Sequence, residues 1–224
     1  MPTIPVENDA LLYEYTSDPW ATTRDLATTT KSPEVDSQET IENNAVSGRG
    51  STAYNIGRFY LNFDTSSITG TLASATLKIY GATTHDTLDL IVLKSDKTSG
   101  AIGSGDFGSI TGGSTPLNNS DGSGGGTLAG SSTIYSDNES DSTGQISTWS
   151  LTGYNDIKLT SSALSSIKAA DNVGMVIIGY DYDYLDIAPS GNNRSGLHTD
   201  AYTGTDRDPY IDYTLEPTAT ENSI

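Results

Sequence analysis

The chain has 224 residues, no cysteine, 34% hydrophobic residues and a formal net charge of −18 from 29 acidic and 11 basic side chains. Without cysteine there is no disulfide framework, thiolate zinc site or thiol nucleophile. A field of that sign repels phosphate backbones and anionic lipid, which argues against nucleic acid and membrane surfaces as partners. No stretch approaches the roughly 18 to 20 apolar residues of a membrane helix. The length suits one β sandwich with a two-sheet core. Thirteen tyrosines favour strands and 23 glycines favour turns.

In chain order, residues 1–10 read as an extended arm, because Pro2 and Pro5 oppose regular pairing. A strand-like piece follows around Leu12, Tyr13 and Tyr15, then a Thr-rich stretch containing Trp20; residues 31–50 read as a polar, acidic loop. The clearest strand is RFYLNFD, where Phe59, Leu61 and Phe63 alternate with Arg58, Tyr60, Asn62 and Asp64. Period two predicts a strand packed on one face only. Turn residues follow, then a second alternating strand with Ala75, Leu77 and Ile79 inward, and a third at 88–96 that is apolar enough to be central.

Residues 100–132, with GSGGG at 122–126, read as a long Gly- and Ser-rich loop within one domain, the alternative being an interdomain linker. QISTWSLTG at 145–153 reads as a strand. The one expected helix begins after Thr160, its N-cap, with Ala163, Leu164 and Ile167 along one face. VGMVIIGYDYD at 173–183 has the nearly continuous apolar and β-branched run of a strand buried on both faces, with either the tyrosines or the aspartates of its end facing outward. Residues 186–209 read as a loop, Ile211, Tyr213 and Leu215 alternate in a closing strand, and 217–224 form a polar tail. The fold expected is all-β, a two-sheet antiparallel sandwich of jelly-roll type over residues 11–216 with one short helix.

The stretch GRFYLNFDTSSITGTLASATLKIYG, from Gly57 to Gly81, resembles the jelly-roll modules called DNRLRE domains, through its aromatic strand ending in FDTSSI, a short spacer and a SATL strand. The closing PYIDYTL falls where that family's last strand would fall. Members occur as glycan-binding modules of bacterial surface or polysaccharide-degrading proteins, and similar free-standing chains occur among structural proteins of tailed bacteriophages. With Met1 and no visible export signal, the chain is more similar to the second group. The resemblance therefore implies a non-catalytic virion protein that decorates a capsid or fibre, docks on a shell protein and contacts host glycans. The alternatives are a carbohydrate-binding or adhesive module at a cell surface, or the subunit of an extracellular filament.

Three sets of residues carry candidate chemistry. Acidic runs occur at 137–141 and 181–186, and Asp200 stands near Asp206 and Asp208. Hard oxygen ligands on loops suit calcium, and Asp181, Asp183 and Asp186 are the candidate ligands of a structural calcium. Trp20, Tyr182 and Tyr184 are the candidate sugar-stacking rings, because an aromatic face covers the apolar face of a pyranose. Pro2, Thr3, Ile4, Pro5 and Val6 are the candidate docking peg, ordered on binding a capsid protein, other virion component or second copy of the chain. No GxSxG, HExxH or P-loop is present, and His85 and His198 fall in separate loops. The expectation is a protein without catalytic residues.

Overall fold

A computed structural model describes residues 1–48, 50–82, 88–111, 133–138 and 143–217. Most of the Gly- and Ser-rich tract, His85, part of the 137–141 acidic run and residues 218–224 lie outside them. Among the described residues the strands are β1 (Thr3–Thr16), β2 (Gln38–Ser47), β3 (Thr52–Asp64), β4 (Leu72–Ala82), β5 (Leu90–Ser95), β6 (Tyr154–Lys158), β7 (Asn172–Gly179), β8 (Arg194–His198) and β9 (Tyr210–Leu215). All their pairings are antiparallel. The protein is an all-β sandwich of the jelly-roll kind. No helix among the described residues is long and apolar enough to cross a membrane.

One sheet has β3 at its centre, flanked by β1 on one side and by β7 and then β5 on the other. The second is built on β4, with β6, β8 and β9 around it. Two corner strands serve both sheets. Residues Thr3–Pro5 of β1 pair with β9, a bulge follows between Val6 and Asn8, and the rest of β1 pairs with β3. Likewise Gln38–Glu42 of β2 pair with β8 and Asn43–Ser47 with β3. Pairing therefore closes on itself through β1, β9, β4, β8, β2 and β3. Strands that change sheets through bulges or bends form the corners of such sandwiches. Strands from before and after the Gly-rich tract interleave, since β7 lies between β3 and β5.

Phe59, Leu61 and Phe63 point into the space between the sheets, against Leu77 and Ile79 of β4, Met175 and Ile177 of β7, and Ile211 of β9. β4 follows the expected pattern, with Ala75, Leu77 and Ile79 buried and Thr76, Lys78 and Tyr80 half-buried. β7 is buried on both faces as its apolar run predicts, but it ends at Gly179, and Tyr180–Tyr184 coil into a turn instead of extending it to residue 183.

β3 departs from expectation. Arg58, Tyr60 and Asn62, read as solvent-facing, are all buried. The outer face of their sheet carries a second apolar layer, in which Tyr60, Ile91, Leu93, Val176 and Ile178 meet Trp20, Phe107 and Ile110 from covering segments. Those segments are a short helix α1 (Trp20–Arg24), a single 3-10 turn at Ser104–Asp106 and a π-helical turn at Tyr180–Tyr184. Arg58 and Tyr60 are tolerated there because their polar atoms are bonded. The Tyr60 hydroxyl donates to the Phe107 carbonyl at 2.7 Å, and the Arg58 guanidinium stacks over the Phe107 ring, 4.3 Å from its centroid.

The expected helix, α2 (Ser161–Ala169), is capped by Thr160, whose side chain accepts from the Ala163 N–H. It is joined by α1 and the π turn, so one short helix understates the helical content. Residues 145–153 contribute only an isolated bridge at Ile146, and the strand of that region is β6. The loops read at 31–50 and 186–209 contain β2 and β8. Both are short corner strands rich in polar residues, so they lack an apolar alternation to betray them.

Candidate functional site

The π turn decides the fate of the expected calcium ligands and of most of the expected sugar platform. A coil in place of an extended DYDYLD run turns Asp183 and Tyr184 inward. Arg58 grips Asp183 with two bonds, Nε to Oδ2 and Nη2 to Oδ1, each 2.8 Å. Arg24 lies 3.7 Å from the same carboxylate and 3.6 Å from Asp186 Oδ2. Arg58 also donates to the carbonyls of Phe107 and Arg24. Burial works against the Arg58 charge, but the Asp183 carboxylate more than compensates and raises its pKa. Asp181 stays half-buried, its pKa raised by burial and by Asp89. Asp181, Asp183 and Asp186 therefore do not fit calcium, because the central carboxylate is already saturated by guanidinium groups. No three carboxylate or imidazole groups among the described residues gather as a metal cage.

Trp20 and Tyr184 are buried in the outer apolar layer, Trp20 edge-on to Tyr54 and Tyr184 stacked on Tyr180. Neither ring is open to a sugar. Tyr182 is half-buried, and its hydroxyl donates to Asn193 Oδ1 at 3.1 Å. The half-exposed aromatic surface lies on the other sheet. Tyr154 of β6 meets Tyr80 of β4 and Tyr210 of β9 edge-on, with centroids 5.2 Å apart in each pair. Tyr80 and Tyr202 hold the Arg207 guanidinium between them, with His198 edge-on to both rings. Sequence reasoning missed this group because its members come from β4, β6, β8, β9 and the segment between the last two, and no local pattern joins them.

The docking residues are strand, not peg. Ile4 is buried, and the main chain of Thr3–Pro5 pairs with β9, so Pro2 and Pro5 do not prevent pairing. Proline is compatible with a sheet margin where its missing N–H is not required. Thr3 and Pro5 remain exposed and form a ridge between two hollows. One, of about 300 Å³, is lined by Thr3, Pro5, Thr205, Asp208, Pro209 and Tyr210. The other, of about 360 Å³, is lined by Thr3–Glu7, Asp64 and Ser67.

A polar cleft of about 300 Å³ opens where β2 leaves β3 to join the second sheet. Leu11 and Gly57 lie at its base, and Tyr13, Glu34, Gln38, Glu39, Thr40, Glu42 and Asn55 line it. A Cβ at Gly57 would stand 3.2 Å from the Glu42 nitrogen and 3.4 Å from Leu11, so glycine lets β2 cross close over β3. Glu39 is 5% exposed and accepts from the Asp36 N–H at 2.8 Å. Burial, reinforced by the Glu34 carboxylate, pushes its pKa up to about 7. Glu42 is held by the amides of Asn44 and Asn55 and lies 3.1 Å from Arg194.

Further along the inward face of β1, Asp9 is 6% exposed. Its Oδ2 accepts from the Asp200 N–H at 2.9 Å, while its Oδ1 has no partner. Burial and the charges of Asp200 and Asp208 push its pKa up to about 8. Asp208 likewise has a buried, unpartnered Oδ1. Asp9 and Asp200 are 191 residues apart, so no local motif could have joined them.

The chain matches no protein-family model, and no curated protein is significantly similar to it.

Proposed function

We propose that the chain is a non-catalytic structural protein of a virus particle, a jelly-roll module that decorates a phage capsid or fibre by docking on a shell protein. The observation that carries the docking mode is the ridge of Thr3 and Pro5 between two hollows. A ridge fixed by strand pairing meets a partner without the ordering cost of a free arm. Repetition over a symmetric shell lets a modest contact suffice through avidity. The virion assignment rests on the likeness of Gly57–Gly81 to DNRLRE-type phage proteins, a stretch that forms most of β3 and β4.

Because Ile4 anchors the fold, the docking test requires surface substitutions in place of truncation. Thr3→Arg combined with Glu7→Arg alters two exposed side chains beside the hollows. The expected result is at least a tenfold drop in occupancy on purified particles with an unchanged unfolding temperature. Undiminished occupancy would remove the ridge from the interface.

A second reading, a carbohydrate-binding or adhesive module, is favoured by the aromatic group of Tyr80, Tyr154, Tyr202 and Tyr210 with Arg207. Half-exposed rings flanked by Asp206, Asp208 and an arginine offer both stacking and hydrogen bonds to a sugar. Affinity electrophoresis in polysaccharide gels separates the two readings. Retention that disappears in Tyr202→Ala selects the glycan module, and mobility independent of polysaccharide selects the virion module.

A further inference from the structure

The strongest unexplained feature outside the ridge and the aromatic group is the Asp9 carboxylate. Acidic side chains are plentiful in a chain of net charge −18, and most need no explanation because water surrounds them. Asp9 is different, since it is almost fully buried on the inward face of β1. One oxygen is satisfied by the Asp200 N–H and the other faces no donor. The charges that act on it most strongly, those of Asp200 and Asp208, are negative. Asp208 repeats the pattern with its own buried, unpartnered oxygen. Leaving a buried acceptor without a donor is costly, and a like charge beside it adds to the cost. Arg58 and Arg24 relieve the corresponding problem at Asp183; no such cation among the described residues serves Asp9.

We propose that a divalent cation, calcium by the oxygen-only character of the donors, binds between the Asp9 and Asp200 carboxylates, with Asp208 adding negative charge at its margin. Two carboxylates are fewer than a closed cage, in keeping with the absence of any three-residue cluster among the described residues. Calcium accepts that arrangement because main-chain carbonyls and water complete its six to eight oxygens. Its position has a structural consequence. Asp200 and Asp208 begin and end the segment that leads from β8 to β9, and Asp9 belongs to the corner strand β1. A cation there ties this segment to the sandwich. The same segment carries Tyr202 and Arg207 of the aromatic group and Thr205 of one hollow. The Tyr154 hydroxyl donates to the Asp206 and Asp208 carbonyls at 3.1 and 3.3 Å, which places a natural fluorophore beside the site.

The test uses the full chain at pH 8 and calcium itself. Thermal unfolding in chelator is compared with unfolding in millimolar calcium chloride or magnesium chloride, and tyrosine-sensitised terbium emission is titrated with calcium. A bound cation stabilises the folded state by mass action. The expected result is a rise in Tm of several degrees with calcium and a smaller one with magnesium, together with terbium emission that calcium displaces. Both responses should vanish in Asp9→Asn. Asp200→Asn provides a second variant at an exposed position, should the first fail to fold. A wild-type Tm indifferent to calcium overturns the site. So does a calcium response retained in a folded Asp9→Asn or Asp200→Asn chain. If wild type ignores calcium while Asp9→Asn is more stable than wild type in chelator, the pair holds a shared proton only, which also overturns the proposal.

Discussion

Among the regions of this sandwich that bury carboxylates, two solve the problem in opposite ways. On the outer layer, Asp183 is enclosed by Arg58 and Arg24, with carbonyls of Phe107 and Arg24 taking up further guanidinium donors. On the two corner strands, Glu39 of β2 lies beside Glu34 and Asp9 of β1 beside Asp200, carboxyl against carboxyl. The first arrangement is electrically closed and asks nothing of solvent or ligand. The second is left with unspent acceptor capacity. Closed networks of buried charge serve the fold, whereas buried like charges recur at sites that bind something.

The largest effect should come from opening the closed network. Arg58→Ala leaves Asp183 buried without its two-bond partner and removes the guanidinium stacked on Phe107. Breaking a buried pair on one side costs about 3 to 5 kcal/mol, read as a lower urea midpoint. Removing both charges in Arg58→Met with Asp183→Leu should cost less than either single change. If Arg58→Ala costs under about 1 kcal/mol, the network is no more than a surface pair, and the contrast between the two regions fails.

How much of this was legible depended on which face of a strand a residue occupied. Phe59, Leu61 and Phe63 announced their strand because apolar side chains at period two have few other uses. Arg58, Tyr60 and Asn62 announced the opposite of the truth. Their burial depends on α1, the 3-10 turn and the π turn arriving to cover them, which no pattern within β3 encodes. The alternation of Tyr and Asp at 180–184 suggested an extended run with one set of side chains outward. The π turn instead buries Tyr180, Asp183 and Tyr184 together. The acidic corner was hidden for a different reason. Glu34, Glu39 and Glu42 looked like ordinary members of a polar loop, and Asp9 meets Asp200 only because both ends of the chain converge on one corner of the fold.

The polar cleft should reveal itself through pH. Glu39 has an ordinary value of 4.5 and stands at about 7 in the folded protein. The folded state therefore holds this proton more tightly than the unfolded chain does. The stabilisation is fully present below about pH 4.5 and is lost as pH rises through about 7. Its size is on the order of 3 kcal/mol. In urea unfolding at fixed ionic strength, Glu39→Gln should flatten the decline between pH 5 and 8 (about the window set by the two values) and leave the variant more stable than wild type at the upper end. Parallel pH profiles for the two proteins would show that the Glu34–Glu39 contact carries no buried proton.

The smallest effect should come from an exposed ion pair held by a single contact. Lys78 Nζ and Asp156 Oδ2 are only 2.6 Å apart across β4 and β6, yet the Asp156 side chain is 62% exposed. Water already solvates such a carboxylate, so pairing gains little beyond what solvent provides. Lys78 also retains Asp212 as a second partner at 3.8 Å. Asp156→Asn should change the unfolding free energy by no more than about 0.5 kcal/mol, a small fraction of the loss expected for Arg58→Ala. The comparison sets a solvated, single-contact pair against a buried, two-bond one. A loss at Asp156 equal to that at Arg58 would mean that pairing itself, not burial, sets the cost. The unpaired acidic corner would then cease to be the exceptional part of the molecule.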